Sequence, residues 1–386
     1  MPCPAPPAAE GHAVESPTVT TLWIGSYPPA GIGTPPGRGE GIFRVDLDLA
    51  TGALGEPRRV LEAPAPSFVV RRPDGEVLYA TDESEAGRVA AFRVHDDGLE
   101  PLGTASSGGT YPCHLLLDGD RLYVANYGDG ALGVLTLAPS GAFASDEPQV
   151  LPHAGTGPDD DRQQGPHAHF VALAPGGSVL VVDLGTDEVR RHTRTADGLE
   201  AAGIAATLPP GTGPRHLVFG GPSALGASPG ASLAYLTGEL DSTVHVLSWD
   251  PATDTGEVIQ TLPALGTAAG RRSGGPGDTA DESDLRAEWA DDDAPSPSHL
   301  AFDGRELVVG VRGPDVLSRF VVGDDGLLTH RGVQPLPART PRHFAVVGDW
   351  TVVAEQVPGA ITVLDRRGAV ASSYAVPSAA CVAPAV

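Results

Sequence analysis

The chain has no lysine, so arginine supplies all 25 of its basic side chains, against 49 acidic residues and a formal net charge of −24. Binding to nucleic acid requires a basic surface that releases counterions from the phosphates. The charge balance therefore argues against a nucleic-acid partner. A membrane span is also not expected, because the sequence has no uninterrupted apolar run of about 18 residues.

Cysteine is scarce as well, with only Cys3, Cys113 and Cys381 along 386 residues. This spacing fits neither a metal-binding motif nor a disulfide framework. Residues 1–20 lack the basic start and the apolar core of a secretory signal. They predict a disordered N-terminal tail, and we expect the protein to be cytoplasmic.

Glycine and proline are abundant, at 50 and 38 residues, which indicates many tight turns between short strands. The sequence repeats one phrase six times, each copy with a proline, a small or polar pair, an apolar strand, a turn and a second apolar strand. The copies start at Pro66, Pro112, Pro166, Pro214, Pro297 and Pro341. Their separations are 46, 54, 48, 83 and 44 residues. A four-stranded propeller blade repeats every 40 to 50 residues or so.

A seventh blade is predicted from the two ends of the chain. Residues 22–27, 41–48 and 54–62 match the second, third and fourth strands of the phrase, and residues 377–382 match its first strand. A ring that closes in this way leaves no long edge strand exposed. The sequence therefore predicts an all-β, seven-bladed propeller over residues 21–386, closed by strands from both termini.

One interval is long because residues 266–297 form an acidic insertion rich in Gly, Ser, Asp and Pro. Such a composition cannot bury enough apolar surface to fold independently. The segment is either a lid over one face of the propeller or a solvated loop, and the loop is favoured.

Two columns of polar residues recur at equivalent positions of the blades. The strand-end column closes the second strand of each phrase: Ser26-Tyr27, Asp82-Glu83, Asn126-Tyr127, Asp183-Leu184, Gly238-Glu239, Val311-Arg312 and Glu355-Gln356. The proline column follows each repeat proline: His114, His167, His169, Arg215, His216, His299, Arg342 and His343. Because inner strands converge on the axis of a propeller, the two columns predict a polar pocket at the channel mouth.

Several phrases carry a family resemblance: RQQGPHAH (162–169), DLGTDEV (183–189), GTGPRHL (211–217) and YPCHLLLDGDRLYVANYGDG (111–130). With GIFRVDLDLATGAL (41–54), they resemble the seven-bladed propeller lactonases. That family includes cycloisomerase-type 6-phosphogluconolactonases and fungal carboxy-cis,cis-muconate cyclases. The likeness covers nearly the whole chain.

The resemblance implies four catalytic residues, which are His167, Arg215, Glu239 and Arg312. Lactone hydrolysis needs a base for water and a cation for the developing oxyanion. His167 is the favoured base with Glu239 as its partner or alternate, and the two arginines would bind an anionic group bidentately. The predicted substrate-binding residues are His169, His114, Arg162, Gln163 and Arg342.

Several of these candidate site residues could instead have a purely structural role. On an alternating strand His169 points the same way as His167, and it could instead bond to the backbone of a neighbouring blade. Glu239 and Arg312 could form a structural salt bridge across adjacent blades, and Asp183 is expected to form hydrogen bonds between blades. Arg162 and Gln163 could rim the pocket or fix their loop.

No metal or other cofactor is expected, because no third and fourth ligand accompany His167 and His169 at a convincing spacing. Glu83, Asn126 and Asp183 leave a calcium site only weakly open.

The predicted function is hydrolysis of a small anionic lactone, with 6-phosphogluconolactone as the leading substrate. The alternatives are a lactonizing cyclase or cycloisomerase of the carboxymuconate type and a propeller that binds a ligand or a protein without catalysis. The oligomeric state is left open.

Overall fold

The computed structural model describes residues 18–29, 37–196, 198–220, 232–266 and 294–385. These residues form seven four-stranded antiparallel sheets, which are the seven predicted blades. Most of the predicted N-terminal tail and of the acidic insertion lies outside the described residues. No helix that could cross a membrane occurs in the described ranges.

Blades 1 to 4 follow one another along the chain, and blade 1 also includes a strand from the far end. Blade 1 has β1 (Val19–Ser26), β2 (Gly41–Asp48), β3 (Arg58–Glu62) and, from the C-terminus, β28 (Ala379–Pro384). Blade 2 has β4 (Val69–Arg71), β5 (Val77–Asp82), β6 (Arg88–Val94) and β7 (Leu99–Ser106). Blade 3 has β8 (Pro112–Asp118), β9 (Arg121–Asn126), β10 (Leu132–Thr136) and β11 (Gln149–Leu151). Blade 4 has β12 (Ala168–Leu173), β13 (Val179–Asp183), β14 (Glu188–Arg194) and β15 (Leu199–Thr207).

Blades 5 to 7 complete the ring. Blade 5 has β16 (Pro214–Gly220), β17 (Ser232–Gly238), β18 (Thr243–Asp250) and β19 (Thr255–Pro263). Blade 6 has β20 (Ser296–Asp303), β21 (Glu306–Arg312), β22 (Val316–Val322) and β23 (Leu328–Pro335). Blade 7 has β24 (Arg339–Val347), β25 (Trp350–Val357), β26 (Ala360–Leu364) and β27 (Val370–Ala375). The inner strands β28, β4, β8, β12, β16, β20 and β24 contact one another in a closed circle around the axis.

The apolar core lies between the blades. An inner second strand such as β13 is buried along its whole length, whereas the outermost strand β15 is half exposed. Each of the seven junctions between neighbouring blades has its own cluster of buried apolar side chains. Every blade therefore covers both faces of its neighbours, and burial of this apolar surface is the main stabilising contribution.

The predicted closure of the ring is confirmed. β28 pairs antiparallel with β1, with Leu22 opposite Pro384 and Gly25 opposite Cys381. Val382 of β28 then packs with Leu22 and Val352, which brings blade 7 against blade 1. The last residues of the chain thus complete the first blade.

A β-bulge occurs near the start of five inner strands, where the register shifts directly after the repeat proline or its equivalent. Bulges aim a side chain out of the regular ladder. The bulged residues after the proline position are Cys113, His169, Arg215, Ser298 and Arg342. In blade 4, Ala168 takes the place of the proline, because it pairs with Asp183 as Pro112 pairs with Asn126.

This register corrects one expectation. His167 precedes β12, and only His169 lies on the strand, at the bulge. The two histidines therefore do not alternate along one regular strand, and His169 is the structural equivalent of Arg215.

Below the bulged residues, six rings form an aromatic girdle around the axis. Its members are Phe68, His114, Phe170, His216, His299 and His343, and neighbouring ring centroids lie 3.9 to 5.8 Å apart. His114 is only 5% exposed, and its ring lies between the tilted rings of Phe68 and Phe170. Its predicted role in substrate binding is therefore not supported, because it lies in the floor beneath the mouth.

The girdle histidines are neutral. Burial, followed by electrostatic repulsion from His343 and Arg215 when the ring is protonated, holds the pKa of His114 and His299 well below the usual value. For His216 the largest causes of a lowered pKa are burial and Arg215. Neutral His216 accepts from Nη1 of Arg215 at 3.2 Å, and its Nδ1 lies 2.9 Å from Nδ1 of His299. This chain of contacts supports Arg215 from below.

We expect the closure to fail when a charge is placed in β28. Val382→Asp should prevent folding, because burying an unpaired carboxylate costs several kcal/mol, and Val382 is 2% exposed. Val370→Asp is the matched control, since Val370 is 52% exposed on the outer strand of blade 7. Thermal unfolding followed by circular dichroism distinguishes them. A cooperative transition at the wild-type temperature for Val382→Asp would contradict the role of β28.

We also expect stability to fall on acidification. Burial, and to a smaller extent Arg215, lowers the pKa of His343 to about 3. In the unfolded chain the pKa of a histidine is about 6.5. Between these values the unfolded chain binds more protons than the folded one, so the free energy of unfolding decreases as pH falls.

Urea unfolding at several pH values between 7 and 4 measures this dependence. His343→Asn should make this dependence less steep, because one of the buried neutral histidines is removed. His95→Asn should not, because the side chain of His95 is 46% exposed. Equal slopes in wild type and His343→Asn would show that His343 is not buried in its neutral form.

Candidate active site

The channel mouth is centred on Glu239, which directly follows β17. Its backbone N–H donates to the carbonyl of Gly213, the residue before Pro214, at 2.9 Å. This bond holds the strand-end column beside the start of the inner strand. The carboxylate is 6% exposed, so it needs charged partners to remain ionised.

Three arginines supply those partners. Nη2 of Arg162 donates to Oε1 of Glu239 at 2.8 Å. On the other oxygen, Oε2, Nε of Arg215 lies at 2.8 Å and Nη2 of Arg312 at 2.7 Å. The arginines come from the segment before blade 4, from blade 5 and from blade 6.

The protonation states follow from these contacts. Burial alone would raise the pKa of Glu239, but the charges of Arg312, Arg162 and Arg215 outweigh it and hold the pKa well below the usual value. Burial and then Arg312 lower the pKa of Arg215 to about 9, so Arg215 remains charged at neutral pH. The cluster thus holds one negative and three positive charges within a strongly acidic protein, and its excess positive charge favours an anion.

Blade 6 fixes both buried arginines. Nη1 of Arg215 donates to the carbonyl of Ser298 at 2.6 Å, and Arg312 donates to the carbonyl and the hydroxyl of Ser296 at 3.3 and 2.9 Å. Glu239 and Arg312 do form the salt bridge between adjacent blades that was considered. A structural pair would need one arginine, however, and three converge on Glu239.

His167 forms the wall next to the cluster. Its Nδ1 lies 2.6 Å from the carbonyl oxygen of Tyr127, so Nδ1 carries the proton and Nε2 has the free lone pair. The ring also stacks on that of Tyr127, with centroids 4.6 Å apart. The Tyr127 hydroxyl accepts from Nη2 of Arg162 at 3.0 Å, which links the histidine wall to the Glu239 cluster.

His169 occupies the bulge beside Arg215. Burial, then the charge of Arg215, holds its pKa well below the usual value, so the ring is neutral. Its Nδ1 is buried without a hydrogen-bond partner in the described structure. The ring contacts Tyr127 and His216 rather than a carbonyl of the neighbouring blade.

Arg342 lies over the ring of Tyr27, with its guanidinium 3.8 Å from the centroid, and its Nε donates to the side chain of Gln356. These contacts join blade 7 to blade 1 at the mouth. Its charge acts on Arg215 and Arg312, so it belongs to the same electrostatic cluster.

Gln163 has a different place. It is 0% exposed, and its amide nitrogen donates to the carbonyl of Leu184 and to Asp187, both at 2.8 Å. Of the two roles considered, it therefore fixes the loop, and direct substrate contact is not supported. Arg162, in contrast, reaches the cluster.

Of the residues that left a calcium site weakly open, Asp183 is already engaged. It accepts from the backbone N–H of His167 and from Nδ1 of His153. The amide nitrogen of Asn126 donates to the carbonyls of Ser107 and Ala131, while its Oδ1 is buried without a hydrogen-bond partner in the described structure. Among the described residues, no three His, Cys, Asp or Glu side chains are grouped as metal ligands.

Sequence reasoning overlooked two parts of this arrangement. Cys113 and Ser298 share the bulged position of Arg215 but were passed over because they are neither His nor Arg. Phe170 completes the girdle at the position that histidine fills in four other blades. An alignment of Ala168 with the repeat prolines would have shown that Phe170 is equivalent to the girdle histidines.

Comparisons with known proteins identify the family. The model of the family described as "Lactonase, 7-bladed beta-propeller" matches residues 21–384. A 6-phosphogluconolactonase of Bacillus subtilis is 28% identical over 306 residues, which cover 78% of this chain and 77% of that protein.

Two solved structures extend the likeness to three dimensions. The periplasmic gluconolactonase of Pseudomonas aeruginosa superposes with a TM-score of 0.78 at 26% identity, covering 95% of this chain and 99% of that one. A protein from Bacteroides fragilis gives a TM-score of 0.76 at 26% identity, covering 96% and 99%. The repeat, the closed ring and the family match together show that this chain belongs to the seven-bladed β-propeller lactonase family.

Proposed function

We propose that the protein hydrolyses a small anionic lactone, with 6-phosphogluconolactone as the leading substrate. The observation that carries the proposal is the excess of arginine around one buried carboxylate at the mouth, beside a histidine with a free lone pair. The name of the Bacillus subtilis relative supports the phosphorylated sugar lactone.

In the proposed reaction, Nε2 of His167 takes a proton from water while the water oxygen attacks the lactone carbonyl. Arg215 and Arg312 stabilise the oxyanion that develops on the carbonyl oxygen. Arg342 and Arg162 hold the phosphate or carboxylate of the substrate. The tetrahedral intermediate then collapses, the ring C–O bond breaks, and the product carries a carboxylate and a hydroxyl group.

Glu239 has a supporting part in this scheme. Its low pKa makes it a weak base, so the alternate role considered for it is disfavoured. It partly neutralises and aligns three guanidinium groups that would otherwise repel one another. Substrate binding adds the second anion that the cluster accommodates.

One other reaction fits the same residues. Four arginines could hold two carboxylates, which suits a lactonizing cyclase or cycloisomerase acting on a carboxymuconate-like diacid. The two reactions share the carbonyl and the ring oxygen, so the identity of the accepted anion distinguishes them.

The test is turnover of freshly prepared 6-phosphogluconolactone, its unphosphorylated analogue and a carboxymuconolactone, corrected for spontaneous hydrolysis and measured with EDTA present. We expect the phosphorylated lactone to be preferred. Arg215→Ala should lower kcat/KM by about 100- to 1,000-fold, as the loss of an oxyanion donor does.

Arg305→Ala is the matched control, because Arg305 is exposed on blade 6 and pairs with Asp324 at the surface. It should change kcat/KM by no more than about twofold. Turnover of the carboxymuconolactone alone would support the cyclase instead. If none of the three substrates reacts, the catalytic proposal fails and a binding propeller remains.

A further inference from the structure

Glu83 occupies the same position in blade 2 as Glu239 in blade 5. Each directly follows the second strand of its blade. Each donates its backbone N–H at 2.9 Å to the carbonyl before the repeat proline, which is Ala65 in one case and Gly213 in the other. Their side chains are similarly buried, at 7% and 6% exposure. The two glutamates are equivalent by the symmetry of the repeat.

Three steps around a ring of seven blades separate them, so they face each other nearly across the mouth. Cys113, the bulged residue of blade 3, lies near both carboxyl groups. Burial raises the pKa of its thiol well above the usual value, and the charges of Glu83 and, to a smaller extent, Glu239 raise it further.

Their surroundings differ. Glu239 contacts three arginines directly, whereas Glu83 has the Ser67 and Tyr27 side chains as hydrogen-bond partners. Arg342 and Arg215 act on Glu83 only through the longer-range effect of their charges. Burial therefore dominates and raises the pKa of Glu83 to about 7, opposite to the shift of Glu239. Two carboxyls with opposite shifts are the usual arrangement for distinct acid and charge-stabilising roles.

We propose that Glu83 is a second catalytic group of this site, which donates its proton to the ring oxygen of the lactone as the C–O bond breaks. This inference rests on the proposed hydrolysis. His167 removes a proton from the attacking water on one side of the mouth, and Glu83 supplies one to the leaving oxygen from another wall.

The proton and electron count closes. The water oxygen bonds to the carbonyl carbon, and one water proton moves to Nε2 of His167. When the intermediate collapses, the electron pair of the C–O bond goes to the ring oxygen, which takes the proton of Glu83 and becomes a hydroxyl. The second water proton stays on the new carboxyl group and passes to solvent as the product becomes a carboxylate. Solvent also carries the proton from the imidazolium back to the Glu83 carboxylate.

Several charged or titratable groups face Glu83, but only some of them shift its pKa. Arg342 of β24 and Arg215 of β16 favour the ionised form. Tyr27 lies beyond β1, and Cys113 lies on β8. Glu40, Arg59 and Glu62 line the cleft on the outer side of Glu83. In the described part of the chain, no arginine forms an ion pair with Glu83 as three do with Glu239.

The experiment is the pH dependence of kcat/KM between pH 5 and 9 for wild type, Glu83→Gln and the control Glu40→Gln. Wild type should lose activity tenfold per pH unit above about pH 7, as the acid ionises. Glu83→Gln should lack that decrease and turn over about 100-fold more slowly at pH 6. Glu40→Gln should match wild type, since the side chain of Glu40 is 52% exposed.

A purely structural Glu83 would give a different result. Its replacement would lower the unfolding temperature but leave the decrease above pH 7 in place, and that outcome would overturn the proposal. If Glu83→Gln does not fold, infrared difference spectra of wild type between pH 6 and 8 provide a second test. One buried carboxylic acid should lose its proton over this range, and no such change would overturn the proposal. Wild type without lactone turnover would overturn the proposed function itself.

Discussion

Closure of the ring by β28 is the constraint on which the rest of the molecule depends. Seven junction clusters form the core, and each needs two neighbouring blades. A missing inner strand in blade 1 would open the junctions on both of its sides, where Cys381 and Val382 pack. The mouth draws groups from all seven blades, so it exists only in the closed ring.

Burying the charged side chains at the mouth costs free energy. Arg215 and Arg312 are buried close together, and the pKa of each is lowered by burial before any partner compensates. Glu239 and the carbonyl of Ser298 offset part of this cost. Neutral histidines below Arg215 add a hydrogen-bond acceptor but no further charge. Removing one partner from such a network leaves uncompensated buried charges, which is strongly unfavourable. The same imbalance favours an anionic ligand, as the proposed function requires.

Much of this site could be predicted from the sequence because the repeat superposes equivalent positions. The strand-end column held Tyr127, Glu239 and Arg312, and the proline column held Arg215. The structure places the predicted substrate-binding residues His114 and Gln163 away from the mouth, and the reason is physical. Both are polar and close to candidate site residues in the sequence, but burial depends on packing from other blades. The bulge in β12, which separates the roles of His167 and His169, was likewise not visible in a pattern of alternation.

The sequence by itself determined the number of blades, the strands, the closure at the termini and the kinds of side chain at the mouth, because hydrophobic period and turn residues are local properties. Only the tertiary structure decided which of these side chains are charged. Glu83 and Glu239 are equivalent in the repeat, yet their pKa values shift in opposite directions. A pKa depends on burial and on charges within a few ångströms. The decisive neighbours of Glu239 are Arg162 and Arg312, which are distant along the chain and meet only across blades.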